Sequence, residues 1–183
     1  MFRDGAECDR GDLLRPVRRA VSSPLGGPRP LALVQHPDQL ALLRADPVLI
    51  PAAVEEMLRH DSPVQFIPRM VLRDTEVGGP QFRRGEGALL LVGSANRDPD
   101  AFDEPNRFLV TRYAESTPAA RHFAFGTGIH YCLGAPLARM EAEIIFRLLL
   151  ERTSELALIG STPPYRNQSI IRGLQTLPLR LAA

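Results

Sequence analysis

One stretch restricts this chain more than any other. The loop Phe123–Gly134, reading FAFGTGIHYCLG, runs straight into the longest periodic segment, Ala135–Arg152. Glycine at 126, 128 and 134 permits positive φ and lets backbone lie close to a flat ligand. Leu137, Met140, Ile144, Leu148 and Glu151 fall along one line of the following segment, with Ile145 and Leu149 beside it, and the spacing predicts a helix. Cys132 therefore stands just before a helix start. The free N–H groups and positive dipole end found there favour a thiolate.

The residues alone leave that cysteine several readings. A lone cysteine near a helix start is most often a small apolar filler. A Cys–His nucleophile is weakened because His130 and Cys132 stand too near in sequence to imply a working geometry. A dinucleotide loop G-x-G-x-x-G fails because Tyr131 occupies the third glycine's place. A zinc site drawing on His122, His130 and Cys132 lacks a fourth ligand at a usable spacing. A cofactor-ligating thiolate stands open beside these.

Composition narrows the setting. At 183 residues, 44% of them hydrophobic, the chain can build one core. The 22 cations, all arginine, face 21 acids for a net charge of +1, which argues against nucleic-acid or membrane-surface binding through bulk charge. No apolar run approaches the roughly 20 residues of a membrane span. Met1–Ala20 has no apolar centre of the signal-peptide kind, so a cytoplasmic location is expected. Cys8 and Cys132 make no disulfide framework.

Along the chain, Met1–Pro30 holds six arginines, four acids and the run SSPLGGP without a period, and is expected to be a disordered leader. The folded part is then 31–183. Leu31–Gln35 reads as the last turn of a helix, Pro37 opens a second that Asp46-Pro47 breaks, and Pro51–His60 is a third, stopped by Asp61-Ser62-Pro63. Phe66–Val71 reads as an edge strand. Thr75–Val77, Gln81–Arg83 and Ala88–Val92 read as a meander with a Gly78-Gly79 turn. Ser94–Arg121 is a long irregular loop, and Leu156–Ile159 and Leu177–Leu181 are short apolar pieces. The class is mainly α with small β-sheets (α+β).

Glu56 and Arg59 form an i, i+3 pair, which at a surface contributes about 0.2–0.5 kcal/mol. Glu55 and Arg59 would serve that purpose equally well. Val54, Met57 and Leu58 define the apolar face, and Glu56 and Arg59 lie away from it. Their burial requires a cover, for which Ser94–Arg121 is the natural candidate.

The string FGTGIHYCLG running into APLAR resembles the haem-binding signature of the soluble bacterial cytochromes P-450. The resemblance spans 31–183 and implies the C-terminal part of that fold, truncated, since a complete family member is more than twice as long. It implies heme b (iron protoporphyrin IX) held through the Cys132 thiolate. Phe125 would pack on the thiolate side of the ring, and His130 would bind a propionate. Gly126, Gly128 and Gly134 would allow close approach. Glu56-x-x-Arg59 with Arg107 of Asn106-Arg107-Phe108 matches the family's Glu–Arg–Arg network, and Arg69 of F-I-P-R matches its propionate-binding strand arginine.

By the same resemblance the activity is an O2-dependent monooxygenation of a small organic substrate. A ferredoxin- or flavodoxin-type donor would supply electrons, and Arg112, Arg121 and Arg139 would offer it a basic docking surface. Residues 63–67 and 169–173 fall where the family lines its substrate pocket. No catalytic residue is identified, because the long central helix with its acid–alcohol pair is represented by Leu31–Gln35 alone. The alternatives are a catalytically inactive haem-binding remnant and a binding domain without haem. A missing distal half is expected to expose apolar faces on the helices opening at Pro37, Pro51 and Ala135 and to favour association.

Overall fold

The computed structural model describes residues 30–114, 119–161, 163–168 and 170–182. The expected leader lies outside these, apart from Pro30. Proline sets the helical frame. Helix α1 spans Pro30–Gln35 and α2 spans Pro37–Ala45, with Pro37 in the first turn, where its missing N–H costs nothing. The Asp46 N–H closes α2 on the Leu42 carbonyl, and the Asp46 carboxylate accepts from Val48 N at 3.2 Å to open the 3-10 turn Pro47–Leu49. Helix α3, Ile50–His60, follows without a break.

The strands form separate two-stranded antiparallel sheets. β1 (Ile67–Met70) pairs with β4 (Gly87–Leu90), placing Ile67 opposite Leu90. β2 (Thr75–Glu76) pairs with β3 (Gln81–Phe82) across a turn in which Gly78 and Gly79 take φ of 62° and 104°. The expected strand Ala88–Val92 ends early. Val92 is buried and opens the short helix α4, Val92–Ala95. Helix α5 is Ala135–Arg152, and β5 (Glu155–Leu158) pairs with β6 (Leu179–Ala182).

The core lies where α3 packs on α5. Leu33, Leu43, Ile50, Val54, Met57, Leu58, Val110, Phe146 and Leu149 are all buried there. Arg44 of α2 donates to the Leu150 carbonyl at 3.1 Å and to that of Thr153, so a cation closes the C-terminal end of α5.

The structure corrects the face of α5. Ala135, Ala142, Phe146 and Leu149 point inward, whereas Leu137, Met140 and Ile144 of the expected line are 50–54% exposed. The helix is apolar on two sides, and periodicity found the side that this structure leaves open. Helix α3 shows no such face, because Val54, Met57 and Leu58 are all buried. On α2 and the turn after it, Leu42 and Val48 are exposed.

The two sides of α5 separate experimentally. Phe146→Ala is expected to cost about 3–5 kcal/mol and Ile144→Ala about 1 kcal/mol or less, read from urea unfolding of each variant.

Candidate functional site

Glu56 sits at the base of the site, fully buried with Arg59. Arg59 Nε and Nη2 donate to the two Glu56 oxygens at 2.7 and 2.9 Å. Its remaining donors reach the carbonyls of Asn96, Pro105 and Arg107 at 2.9–3.1 Å. Arg112 supplies the second guanidinium, with Nε at 3.2 and 3.1 Å from the Glu56 oxygens and Nη1 on the Asp103 carbonyl at 2.7 Å. Leu109 N–H adds a bond to Glu56 Oε1 at 3.0 Å. The irregular segment after α4 thus covers the polar side of α3.

This corrects the assignment of Arg107. Its side chain is 61% exposed and pairs with Glu104 at 2.7 Å, and it enters the buried network through its backbone carbonyl alone. Nor does Glu55 pair with Arg59. One residue along α3, it faces another set of partners. Arg139 of α5 grips it with Nε at 2.6 Å and Nη2 at 2.9 Å. His122 Nε2 lies 3.0 Å from Glu55 Oε2. Ala124 N–H donates to His122 Nδ1 at 3.2 Å, which makes Nε2 the protonated nitrogen and the donor to Glu55. Burial pushes the Glu55 carboxyl up, but the hydrogen bonds from His122 and Arg139 outweigh it and hold the group at about 2.

Asn96 joins these layers to the cysteine loop. Its Nδ2 donates to Ser62 Oγ at 2.6 Å, and its Oδ1 accepts from Phe123 N at 2.7 Å. The loop then turns on Gly126 and Gly128, at φ of 70° and 69°, where a side chain would be strained. A 3-10 turn, Gly128–His130, follows. Cys132 N–H donates to the Phe125 carbonyl at 3.0 Å, and Ala135 N–H returns to the Cys132 carbonyl at 3.2 Å. Cys132 is exposed, as is His130, while Ile129 and Leu133 are each 97% exposed.

Beside the loop lies a mainly apolar cleft of about 280 Å³, lined in part by Ile67, Leu90, Leu91, Phe123 and Gly126, with Arg69 as its cation. Arg69 is exposed and, among the described residues, donates only to its neighbour's carbonyl, that of Pro68, at 3.0 Å. Among the described residues no three His, Cys, Asp or Glu gather into a metal cage. A Cβ on Gly134 would meet Cys132 Sγ at 3.8 Å, an ordinary contact, so bulk against the sulfur does not require this glycine.

A family model for Cytochrome P450 matches residues 43–176. The chain belongs to the cytochrome P450 family. It is 46% identical over 153 residues to the cytochrome P450 monooxygenase PikC of Streptomyces venezuelae, covering 81% of this chain and 35% of that protein. It is 44% identical over 149 residues to the biotin biosynthesis cytochrome P450 of Bacillus subtilis strain 168, covering 81% and 36%. Among solved structures, P450BioI in complex with an acyl carrier protein ligated to hexadec-9Z-enoic acid aligns with a TM-score of 0.77 at 43% identity, over 82% of this chain and 38% of that one. The tirandamycin C-bound P450 monooxygenase TamI aligns with a TM-score of 0.78 at 42% identity, over 85% and 39%. The chain therefore spans a little over a third of the length of these relatives. P450 membership implies a haem cofactor. No helix among the described residues is long and apolar enough to cross a membrane.

Within this P450 chain the expected basic docking surface loses two of its three cations. Arg112 is buried on Glu56 and Arg139 is committed to Glu55, whereas Arg121 is exposed with its guanidinium 4.8 Å from the Tyr131 ring centre. The two segments expected near a substrate do meet, through a Val64–Ile171 bridge and a Gln65 N–H bond to the Ile170 carbonyl at 2.9 Å. Ser169 lies outside the described residues. The sequence motifs do not reveal the Glu55–His122–Arg139 set. Its one legible signal was the doubled acid Glu55-Glu56, whose members must face different ways on a helix.

Removing the Glu56 charge strands two buried guanidiniums, so Glu56→Gln is expected to cost about 3–5 kcal/mol in urea unfolding. Arg107→Ala is expected to leave the urea midpoint unchanged. Acid should act in stages. Burial and the Arg97 guanidinium push His60 down from 6.5 to about 4, so its contribution is full above pH 6.5 and is lost as pH falls towards 4. Glu55, lowered from 4.5 to about 2, loses its contribution between those values. Stability measured from pH 7 downward is expected to fall through both windows, and His60→Gln is expected to remove the loss between pH 6.5 and about 5.

Proposed function

We propose that this chain carries the thiolate side of a haem monooxygenase site, with the Cys132 sulfur as the axial iron ligand. The placement of that sulfur supports the reading. It is exposed at the end of a glycine-turned loop, with Ile129 and Leu133 each 97% exposed around it. Apolar side chains left open beside a thiol suit a wide planar hydrophobic group. Arg69 and His130 are the donors for the acidic edge of such a group. Phe125 supports the loop from below, and Gly126, Gly128 and Gly134 keep the backbone bare.

When bound, haem supplies the reductive activation of dioxygen, with one oxygen atom entering a small organic substrate and the other leaving as water. The chain's own share is to hold the sulfur in place. Helix α5 begins at Ala135, just after the cysteine, and the Ala135 N–H closes on the Cys132 carbonyl. The Phe125 carbonyl fixes the Cys132 peptide. A cytoplasmic setting with a ferredoxin- or flavodoxin-type donor belongs to this reading, and Arg121 is the exposed cation left near the loop for such a donor. A catalytically inactive haem-binding role is the second reading.

Purified chain loaded with haem, reduced and exposed to carbon monoxide is expected to show the strongly red-shifted Soret band of a thiolate complex. Cys132→Ser is expected to abolish it, and a band that survives the substitution rejects the ligand assignment. Product formation with an added electron donor separates the monooxygenase from the inactive reading.

A further inference from the structure

We infer that Glu55, Arg139 and Tyr131 form a strut that positions the Cys132 loop, with Arg139 as the positioning residue at its centre. The inference rests on Cys132 being the haem ligand and goes beyond it by naming what holds that ligand in place. The loop needs such a device. Gly126 and Gly128 are at positive φ, and the side chains of Ile129 and Leu133 are almost wholly exposed and anchor nothing. From Gly126 to Gly134, among the described residues, Tyr131 has the one side chain that hydrogen-bonds to another element. Its hydroxyl accepts from Arg139 Nη1 at 2.8 Å.

The same guanidinium secures the other side of the cysteine. It lies 4.7 Å from the centre of the Phe125 ring, and Phe125 is the residue whose carbonyl accepts the Cys132 N–H at 3.0 Å. One cation therefore restrains both the residue preceding Cys132 and the residue that holds its peptide. Glu55 orients that cation with two bonds from α3, at 2.6 and 2.9 Å, and His122 orients Glu55 at 3.0 Å. The line from α3 to the sulfur runs carboxylate, guanidinium, phenol and ring, then peptide. Each link is a directional contact, as in the outer shell that orients a metal ligand. Lysine at 139 cannot replace the fork, since a single ammonium does not meet two carboxylate oxygens and a phenol in one plane.

The test uses Tyr131→Phe, which removes one oxygen and keeps the ring, and Arg139→Lys, which keeps the charge. In the haem-loaded, reduced, carbon monoxide-bound protein, the ratio of thiolate-ligated to non-thiolate Soret bands is measured in sub-denaturing urea. Circular dichroism follows the global fold. Tyr131→Phe is expected to lower that ratio about three- to tenfold, as loss of one hydrogen bond implies, with an unchanged unfolding midpoint, and Arg139→Lys to lower it at least as far at urea concentrations where circular dichroism still shows the native fold. In the haem-free chain the Cys132 amide is expected to exchange hydrogen faster in both variants, while the Leu149 amide does not. An unchanged band ratio overturns the inference whatever the exchange shows. If the parent chain gives no thiolate band, the ligand assignment fails by itself. Amide exchange then decides the strut, and an unaltered Cys132 rate overturns it.

Discussion

A single carboxylate organises the half of the molecule beneath the cysteine loop. Glu56 receives two guanidiniums and a peptide N–H in a place without water access. Two cations against one anion would be an intolerable buried charge on their own. The excess is met by backbone carbonyls of Asn96, Asp103, Glu104, Pro105 and Arg107, whose negative ends all turn towards Arg59 and Arg112. An irregular segment with no ladder of its own thereby finds acceptor work for its peptide groups. What such a network contributes is a unique path for that segment more than net free energy, because desolvation offsets much of the attraction.

The cysteine loop inherits its position from that path. Asn96 is fixed from one side by Arg59 on its carbonyl and from another by Ser62, and its side-chain oxygen then accepts the Phe123 peptide where the loop begins. At the far end α5 begins at Ala135, anchored in the core by Phe146 and Leu149. The sulfur is thus held between a polar clamp and a packed helix. The Glu55 set forms a parallel tie from the same helix α3, using the neighbouring residue and a different face.

Much of this was legible in the sequence because proline and glycine act locally. Pro37, Pro47 and the Asp61-Ser62-Pro63 stop mark helix limits that the structure keeps within a residue, and Gly78-Gly79 marks the hairpin. The E-x-x-R spacing and the need for a cover over it were also readable. Which arginine completes the cluster was not. Arg107 and Arg112 sit on an irregular stretch with no period, so their directions depend on the Glu104 and Leu109 turns rather than on spacing. The inward face of α5 was illegible for another reason. Apolar residues lie on both sides of it, and periodicity alone does not say which side meets α3. His122, Glu55 and Arg139 are far apart in sequence, and only the packing of α3 on α5 brings them together.

Every cation that grips a carbonyl in this fold is a guanidinium, because the chain contains no lysine. Guanidinium keeps its proton far into alkali. The clasps on Asn96, Asp103 and Leu150 are all made by this one planar, many-donor group. The scaffold is chemically lopsided in a second way: acylating reagents that search for side-chain amines find none to mask, so its internal fastenings lie outside the reach of that whole branch of modification.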